Sequence, residues 1–266
     1  MAEWLQSLVL ALIQGVTEFL PVSSSAHLIL PSRILGWPDQ GLLFDVGVHA
    51  GTLCAVLWYF RATLASWFAS LLPGRDGEGS ELWPVVIATV PVVLAGWLLR
   101  DMIANEARGV PVIIATTVIF GLLLGFADRR APDAAAGRSY ISGRDALLIG
   151  SAQVLALIPG TSRSGITITA ALFLGYHRAA AARFSLLLSM PVIAGALLLM
   201  LVASPDTPTG PAKHGNILMA FAVSTTFAYG TIHLFMDLVE RIGLMPFVVY
   251  RMLLGLALLV WVTQGI

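Results

Sequence analysis

The sequence predicts an all-α polytopic membrane protein: six transmembrane helices plus two re-entrant, broken-helix hairpins in an inverted-topology repeat. Three observations carry that prediction. The chain is 58% hydrophobic and only 11% charged, against about 25% charged in an ordinary soluble domain. Long apolar runs recur along its whole length. Two further apolar segments are too short to span a bilayer, which takes about 20 residues, and each is broken by proline followed by a hydroxyl cluster. The 266 residues read as a single membrane domain, with repeat 1 at about 1–127 and repeat 2 at about 145–266. A formal net charge of zero leaves no electrostatic footprint for nucleic acid, so no such partner is expected. Cys54, the one cysteine, lies in an apolar run and is expected to be a buried small hydrophobe.

Residues 1–13 are apolar but carry Glu3 and no basic flank, so a cleaved signal peptide is not expected. Pro21 stops the first short helix, because its ring clashes with the preceding turn and it has no N–H. Ser23, Ser24 and Ser25 follow, all preferred N-caps, so a second short helix starts among them. Leu5–Leu30 thus forms two short helices that enter and leave on one side. Irregular backbone at membrane depth is tolerated only where protein or a watery cavity covers it. Gly41–Phe60 is the first full span and carries Asp45 and His49 four residues apart. Arg61–Glu81 is a polar connection with a turn cluster at residues 73–79. Trp83–Leu99 and Val110–Ala127 are spans two and three, joined by a charged loop from Arg100 to Arg108, and Asp128–Arg144 is a polar loop. Ala146–Ile158 is again short and ends at Pro159-Gly160, before T-S-R-S-G-I-T-I-T (Thr161–Thr169). Phe184–Val202, Asn216–Met236 and Phe247–Val262 complete the six.

The two interrupted segments match: Q-x6-P-V-S-S-S begins at Gln14 and Q-x5-P-G-T-S-R-S at Gln153. Each precedes three spans. An odd number inverts the second half relative to the first, so the breaks face each other near the midplane, the usual place for a membrane site at a repeat interface. Counting loops alternately, one side holds Arg61, Arg75, Arg129, Arg130, Arg138, Arg144, Arg178, Arg183 and Arg241. The other holds only Arg33, Arg100, Arg108 and Lys213. The positive-inside rule puts the richer side in the cytoplasm and opens the first hairpin away from it.

The chemistry gathers at the breaks. Gln14–Leu28 brings together a carboxylate, an amide, three hydroxyls, an imidazole and a helix N-terminus, and free N–H groups at such a terminus bind anions. Arg163 is the second anchor, since a charge at membrane depth costs ~2.5–3.5 kcal/mol on the insertion scale. Its guanidinium forks onto phosphate oxygens, with Ser162, Ser164 and the next helix start as neutral donors. The structural alternative is an ion pair with Glu18 or Asp45. Glu18 is a candidate cation ligand, base or orienter of His27, set against simple snorkelling. Gln14, a neutral amide, is the weaker member. Ser24 is the candidate nucleophile and His27 its base or acid partner, while Ser23 and Ser25 read equally well as caps. Asp45 and His49 share a helix face and form a candidate outer layer around the site. Arg251, His233 and Thr225 stand isolated in apolar runs and yield no reading. Gly160–Gly165 has P-loop spacing, but Ile166 occupies the lysine position and the match fails.

At these two stretches the sequence closely resembles the undecaprenyl-pyrophosphate phosphatase family of the bacitracin-resistance type. That family carries (E/Q)-x3-E followed by F-L-P-(V/I)-S-S-(S/T)-x-H, matched here by Gln14, Glu18 and Phe19–His27. It also carries P-G-x-S-R-S-x-x-T, matched by Pro159–Thr167. The resemblance implies hydrolysis of the C55 lipid carrier's diphosphate to the monophosphate for cell-wall synthesis, with a divalent cation, Mg²⁺ or Ca²⁺. It implies a bacterial inner-membrane enzyme whose site is reached from the periplasmic side. By matching position it assigns function to Glu18, Ser24, His27, Ser162, Arg163 and Thr167, with Gln14 in the acidic slot. With the residue reading, the expected set is Ser24, His27 and Glu18 for catalysis; Arg163, Ser162, Ser164, Thr167, Gly160 and Ser23 for substrate; Glu18 and Gln14 for metal. Two departures stand out: Gln14 takes the amide option, and Ala26 replaces a frequent glycine. The expected partners are a polyprenyl diphosphate lipid and bilayer lipids, with a homodimer left open. The rival function is a transporter or flippase of a lipid phosphate, which needs neither nucleophile nor base; a third is a phosphatase for another lipid phosphate.

Overall fold

The computed structural model describes residues 3–38, 40–71, 81–106, 109–203 and 214–264. Among these described residues eleven α-helices follow in order: α1 (Glu3–Thr17), α2 (Ser24–Ile34), α3 (Leu42–Tyr59), α4 (Arg61–Ser70), α5 (Leu82–Glu106), α6 (Val110–Arg130), α7 (Gly143–Gln153), α8 (Arg163–Phe173), α9 (Arg178–Ala203), α10 (His214–Ile242) and α11 (Met245–Thr263). A short 3-10 turn, Val154–Leu157, extends α7. Among the described residues there is no strand, only an isolated bridge between Arg138 and Tyr176. Helices α3, α5, α6, α9, α10 and α11 are long and apolar enough to cross a membrane. Their outer faces expose Trp97, Leu98, Leu198, Leu218 and Leu253, a surface that water disfavours and lipid accepts. The chain has the make-up of a multi-pass membrane protein.

The halves pack by exchange. Helix α1 lies on α10 and α7 on α5, while α3 meets α9 and α6 meets α11. Small residues allow the two exchanged contacts: a Cβ on Gly15 would meet Ser224 O at 2.8 Å, and one on Gly150 would meet Ala88 O at 2.2 Å. Phe19 and Val22, from the first break, are buried in the same core as Phe184, Phe235 and Ile168. The first break is therefore pinned by its own apolar residues.

Several expected boundaries move. Helix α1 ends at Thr17, ahead of Pro21, because the proline has no N–H for the carbonyl four residues back, that of Thr17, and its ring clashes with it. The connection after span one is not all loop: Arg61–Ser70 is helical, held by buried Trp67 and by Thr63, which accepts from Arg183. The backbone of α5 stays helical to Glu106, through most of the expected Arg100–Arg108 loop. The 73–79 turn cluster, Arg75, Arg108 and Lys213 lie outside the described residues. Cys54 is exposed on the outer face of α3, not buried, because its position falls on the lipid-facing stripe.

A polar clamp closes one end of the second half. Tyr176 Oη donates to Asp145 Oδ2 at 2.7 Å, Arg138 pairs with the same oxygen at 2.6 Å, and Asp145 N donates to Ser142 Oγ. The Tyr176 hydroxyl above all, helped by Ser142 and Arg138, holds the Asp145 carboxyl below the usual carboxylate range, against a burial effect that raises it. A depressed carboxyl stabilises the fold above its ordinary pKa, and the effect is lost as pH falls through the folded-state value. Asp145→Asn is expected to lower the unfolding temperature in detergent at pH 7, with the gap from wild type closing as pH drops below about 4. A gap that stays constant down to pH 3 contradicts this linkage.

Candidate active site

Two helix breaks build the site. Each ends in a serine with left-handed backbone, Ser23 at φ 73° and Ser162 at φ 72°, the only non-glycine residues of positive φ among those described. That conformation costs roughly 1–2 kcal/mol in an L-residue, and such strain persists where the surroundings over-determine it. An eleven-residue helix follows each serine. Ser162 Oγ caps its helix by accepting from Gly165 N at 3.1 Å. Ser23 makes no such cap and its hydroxyl lies 3.2 Å from Ser25 Oγ.

The broken backbone leaves carbonyls without helical partners, and side chains from across the fold take them. In the first break, Glu18 O accepts from Arg163 Nη2 at 3.4 Å, Leu20 O from Ser164 Oγ at 2.8 Å, and Pro21 O from Arg251 Nη1 at 3.3 Å. In the second, Pro159 O accepts from Thr116 Oγ1 at 2.7 Å. Gly160 O and Thr161 O both accept from Arg251, at 2.9 and 3.0 Å. Arg251 also donates to Thr117 O and Thr116 O on α6. Its guanidinium is fully buried.

Glu18 is the hub. Its Oε2 accepts from Ser24 Oγ at 2.7 Å and from Gln14 Nε2 at 3.0 Å, and its Oε1 lies 3.4 Å from Arg163 Nη2. Both charged side chains are nearly buried. Arg163 Nη1 donates to Ser185 O, and Thr167 Oγ1 lies 2.8 Å from Ser185 Oγ, so α9 braces the opening turns of α8. Gln14 Oε1 is buried without a hydrogen-bond partner, while the amide N–H faces the Glu18 carboxylate. A carboxylate and a free amide oxygen are the hard donors that Mg²⁺ and Ca²⁺ take, and Mg²⁺ ordinarily completes its shell with water and phosphate oxygens. The donor types present suit such an ion, with the Gln14 amide turned so that its oxygen and not its N–H faces Glu18.

The structure thus gathers Gln14, Glu18, Ser24 and Arg163, with Ser162 and Ser164 at the same helix start. It does not pair Ser24 with His27. His27 Nδ1 donates to Ser23 O at 2.7 Å, which leaves Nε2 of the neutral ring to accept from Tyr250 Oη, and the two rings stack. Gly160 faces α6 and places only its carbonyl near Arg251. Asp45 and His49 line a separate cavity of about 480 Å³ with Ser25, Arg33 and Gln40. They do not surround the Glu18 cluster. His49 Nδ1 bonds Asp45 O along its own helix. Sequence reasoning missed Ser185, Tyr250 and Arg251. Only Arg251 carried a readable signal, as a cation inside an apolar span.

The chain matches the family described as bacitracin resistance protein BacA over residues 7–257. It belongs to that family. A relative from Hahella chejuensis named undecaprenyl-diphosphatase is 52% identical over 263 residues, 97% of this chain and 98% of its own length. Another of that name, from Chromohalobacter salexigens, is 51% identical over 265 residues, 98% and 99% of the two chains. Both motif stretches of this BacA-family chain fall inside the matched span.

Gly160 bears the tightest backbone demand at the site. It sits at φ 91°, and a Cβ there would lie 2.1 Å from Thr116 Oγ1 and 2.8 Å from Ile113 O. Gly175 has a similar φ of 86° but a nearest neighbour at 4.0 Å. Gly175→Ala is expected to cost about 1 kcal/mol from backbone strain alone, and Gly160→Ala several-fold more, read as unfolding temperature and folded yield in detergent. Equal losses at both positions contradict the packing argument.

Proposed function

We propose that this protein is an integral-membrane phosphatase that hydrolyses undecaprenyl diphosphate to undecaprenyl phosphate and inorganic phosphate. One observation carries the reading: Glu18, Ser24 and Arg163, separated by 145 residues of sequence between the first and last, meet around one carboxylate. Near-full-length identity to relatives named undecaprenyl-diphosphatase supports the substrate. In this reading Ser24 is the nucleophile and Glu18 its base, because the Ser24 hydroxyl donates to Glu18 and not to His27. Glu18 takes the hydroxyl proton as Ser24 Oγ forms a bond to the terminal phosphorus. The bond from that phosphorus to the bridging oxygen breaks, and the prenyl monophosphate leaves. Water then cleaves the phosphoserine, releasing inorganic phosphate and restoring the hydroxyl. Arg163, Ser162 and the N–H groups opening α8 bind the phosphate oxygens, with the helix terminus favouring negative charge. Gln14 and Glu18 would hold a divalent cation, which when bound would offset negative charge on the diphosphate. His27 orders the outer edge of the site through Ser23 and Tyr250.

The same reading takes the halves as an inverted-topology repeat with α1–α2 and α7–α8 as re-entrant hairpins. Two breaks that each end in a serine of positive φ, and the exchange of α1 onto α10 for α7 onto α5, support it. The excess of arginine on one side supports a site opening to the periplasmic face of the inner membrane.

Detergent-purified protein is expected to release phosphate from C55 diphosphate in a Mg²⁺- or Ca²⁺-dependent manner. Ser24→Ala should abolish release, and Arg163→Ala should lower it roughly 10²–10³-fold, the size of losing one positioned donor. Lipid binding without phosphate release by well-folded wild type would favour a carrier. Full release by Ser24→Ala would move the attack to water or His27.

A further inference from the structure

Arg251 is a buried cation whose place in the reaction has no counterpart in the site motifs. It lies on α11, far in sequence from both breaks. A guanidinium has five N–H donors in a rigid fork, and here backbone carbonyls of Pro21, Thr116, Thr117, Gly160 and Thr161 receive them. Among the described residues no carboxylate pairs with it. A cation placed for charge balance would seek an acid. A cation placed for geometry seeks acceptors at fixed angles, and this one finds them on the first break, the second break and α6. Pro21 lies two residues before Ser23, and Thr161 immediately precedes Ser162. The fork therefore ties together the segments that present Ser24 and Arg163. It also approaches the opening of α8, since a Cβ on Gly165 would sit 3.0 Å from Arg251 Nη1.

We propose that Arg251 is a positioning residue that locks the two helix breaks in register, so that the Glu18–Ser24 side and the Ser162–Arg163 side form one catalytic site. Its effect on turnover rests on the phosphatase reading; its effect on geometry does not. Lysine keeps the charge but is a point ammonium with three donors, so it cannot hold all five carbonyls. Glutamine has two donors and no charge.

The test compares wild type, Arg251→Lys and Arg251→Gln, each checked for monodispersity and unfolding temperature in detergent. For folded Arg251→Lys the expected result is a fall in kcat of about a hundredfold, the usual effect of a misplacement near 1 Å. KM should stay within about threefold, because the phosphate-binding groups remain. In parallel, spin labels at Arg33→Cys on α2 and Phe173→Cys on α8, with Cys54→Ala to remove the exposed thiol, report the distance between the helices after the breaks. That distribution should broaden in both Arg251 variants. Wild-type kcat in Arg251→Lys would show that charge alone suffices and overturn the proposal, as would an unchanged distance distribution. If neither variant folds, Arg251 serves the fold and not the register, and the proposal also falls. If wild type releases no phosphate, the phosphatase reading fails while the distance measurement still decides the register.

Discussion

A helix broken among apolar neighbours leaves carbonyls that need partners, and this fold contains two such breaks, brought together by Arg163, Ser164 and Arg251. Each unsatisfied group would cost several kcal/mol in hydrocarbon. The solution is reciprocal. Arg163 and Ser164, just past the second break, take carbonyls of the first. Thr116 on α6 takes one from the second, and Arg251 takes carbonyls from both. Local turns satisfy only part of each break. The halves therefore assemble together, and the functional groups arrive at one place as a consequence of backbone accounting.

The same constraint shapes the electrostatics. Glu18 and Arg163 form a nearly buried pair at 3.4 Å, with Gln14 and Ser24 on the other carboxylate oxygen. A buried pair is weak support for stability, since desolvation opposes the attraction. This one is better understood as a held charge arrangement, loose enough on the arginine side to admit an anion. Arg251, whose partners among the described residues are all neutral carbonyls, leaves a positive charge behind the two helix starts. Both features favour a phosphate group between them, and the unpartnered Gln14 oxygen offers a lone pair for a cation on the acidic side.

The left-handed serines show why the breaks are not interchangeable with ordinary loops. Ser23 and Ser162 adopt a conformation usually left to glycine, and the helices that follow begin with Ser24 and Arg163. A glycine would relieve the strain but lose the hydroxyl; a larger residue would lose both. Ser162 spends its oxygen on the cap of α8, whereas Ser23 turns to Ser25 and gives its carbonyl to His27. The two breaks share a backbone turn and differ in chemistry, one presenting a hydroxyl and the other a guanidinium.

Local order was legible in the sequence. The helical spacing of Gln14 and Glu18, the interruption near Pro21, the helix start among the serines and the six spans all follow from short-range rules. Those rules act within a turn or two: proline geometry, capping and hydrophobic length. They also misplace features that depend on neighbours, such as Cys54, assumed buried because its run is apolar, and Arg61–Ser70, which docks through Trp67 and Arg183. The pairing of Ser24 with Glu18 instead of His27 depends on how the first break turns. The contacts of His27 with Tyr250 and of Arg251 with five carbonyls span the length of the chain. By itself the sequence determined the helices, their breaks and the residue types gathered at them. Only the tertiary structure decided which donor meets which acceptor, because a broken helix must find its remaining partners on other elements.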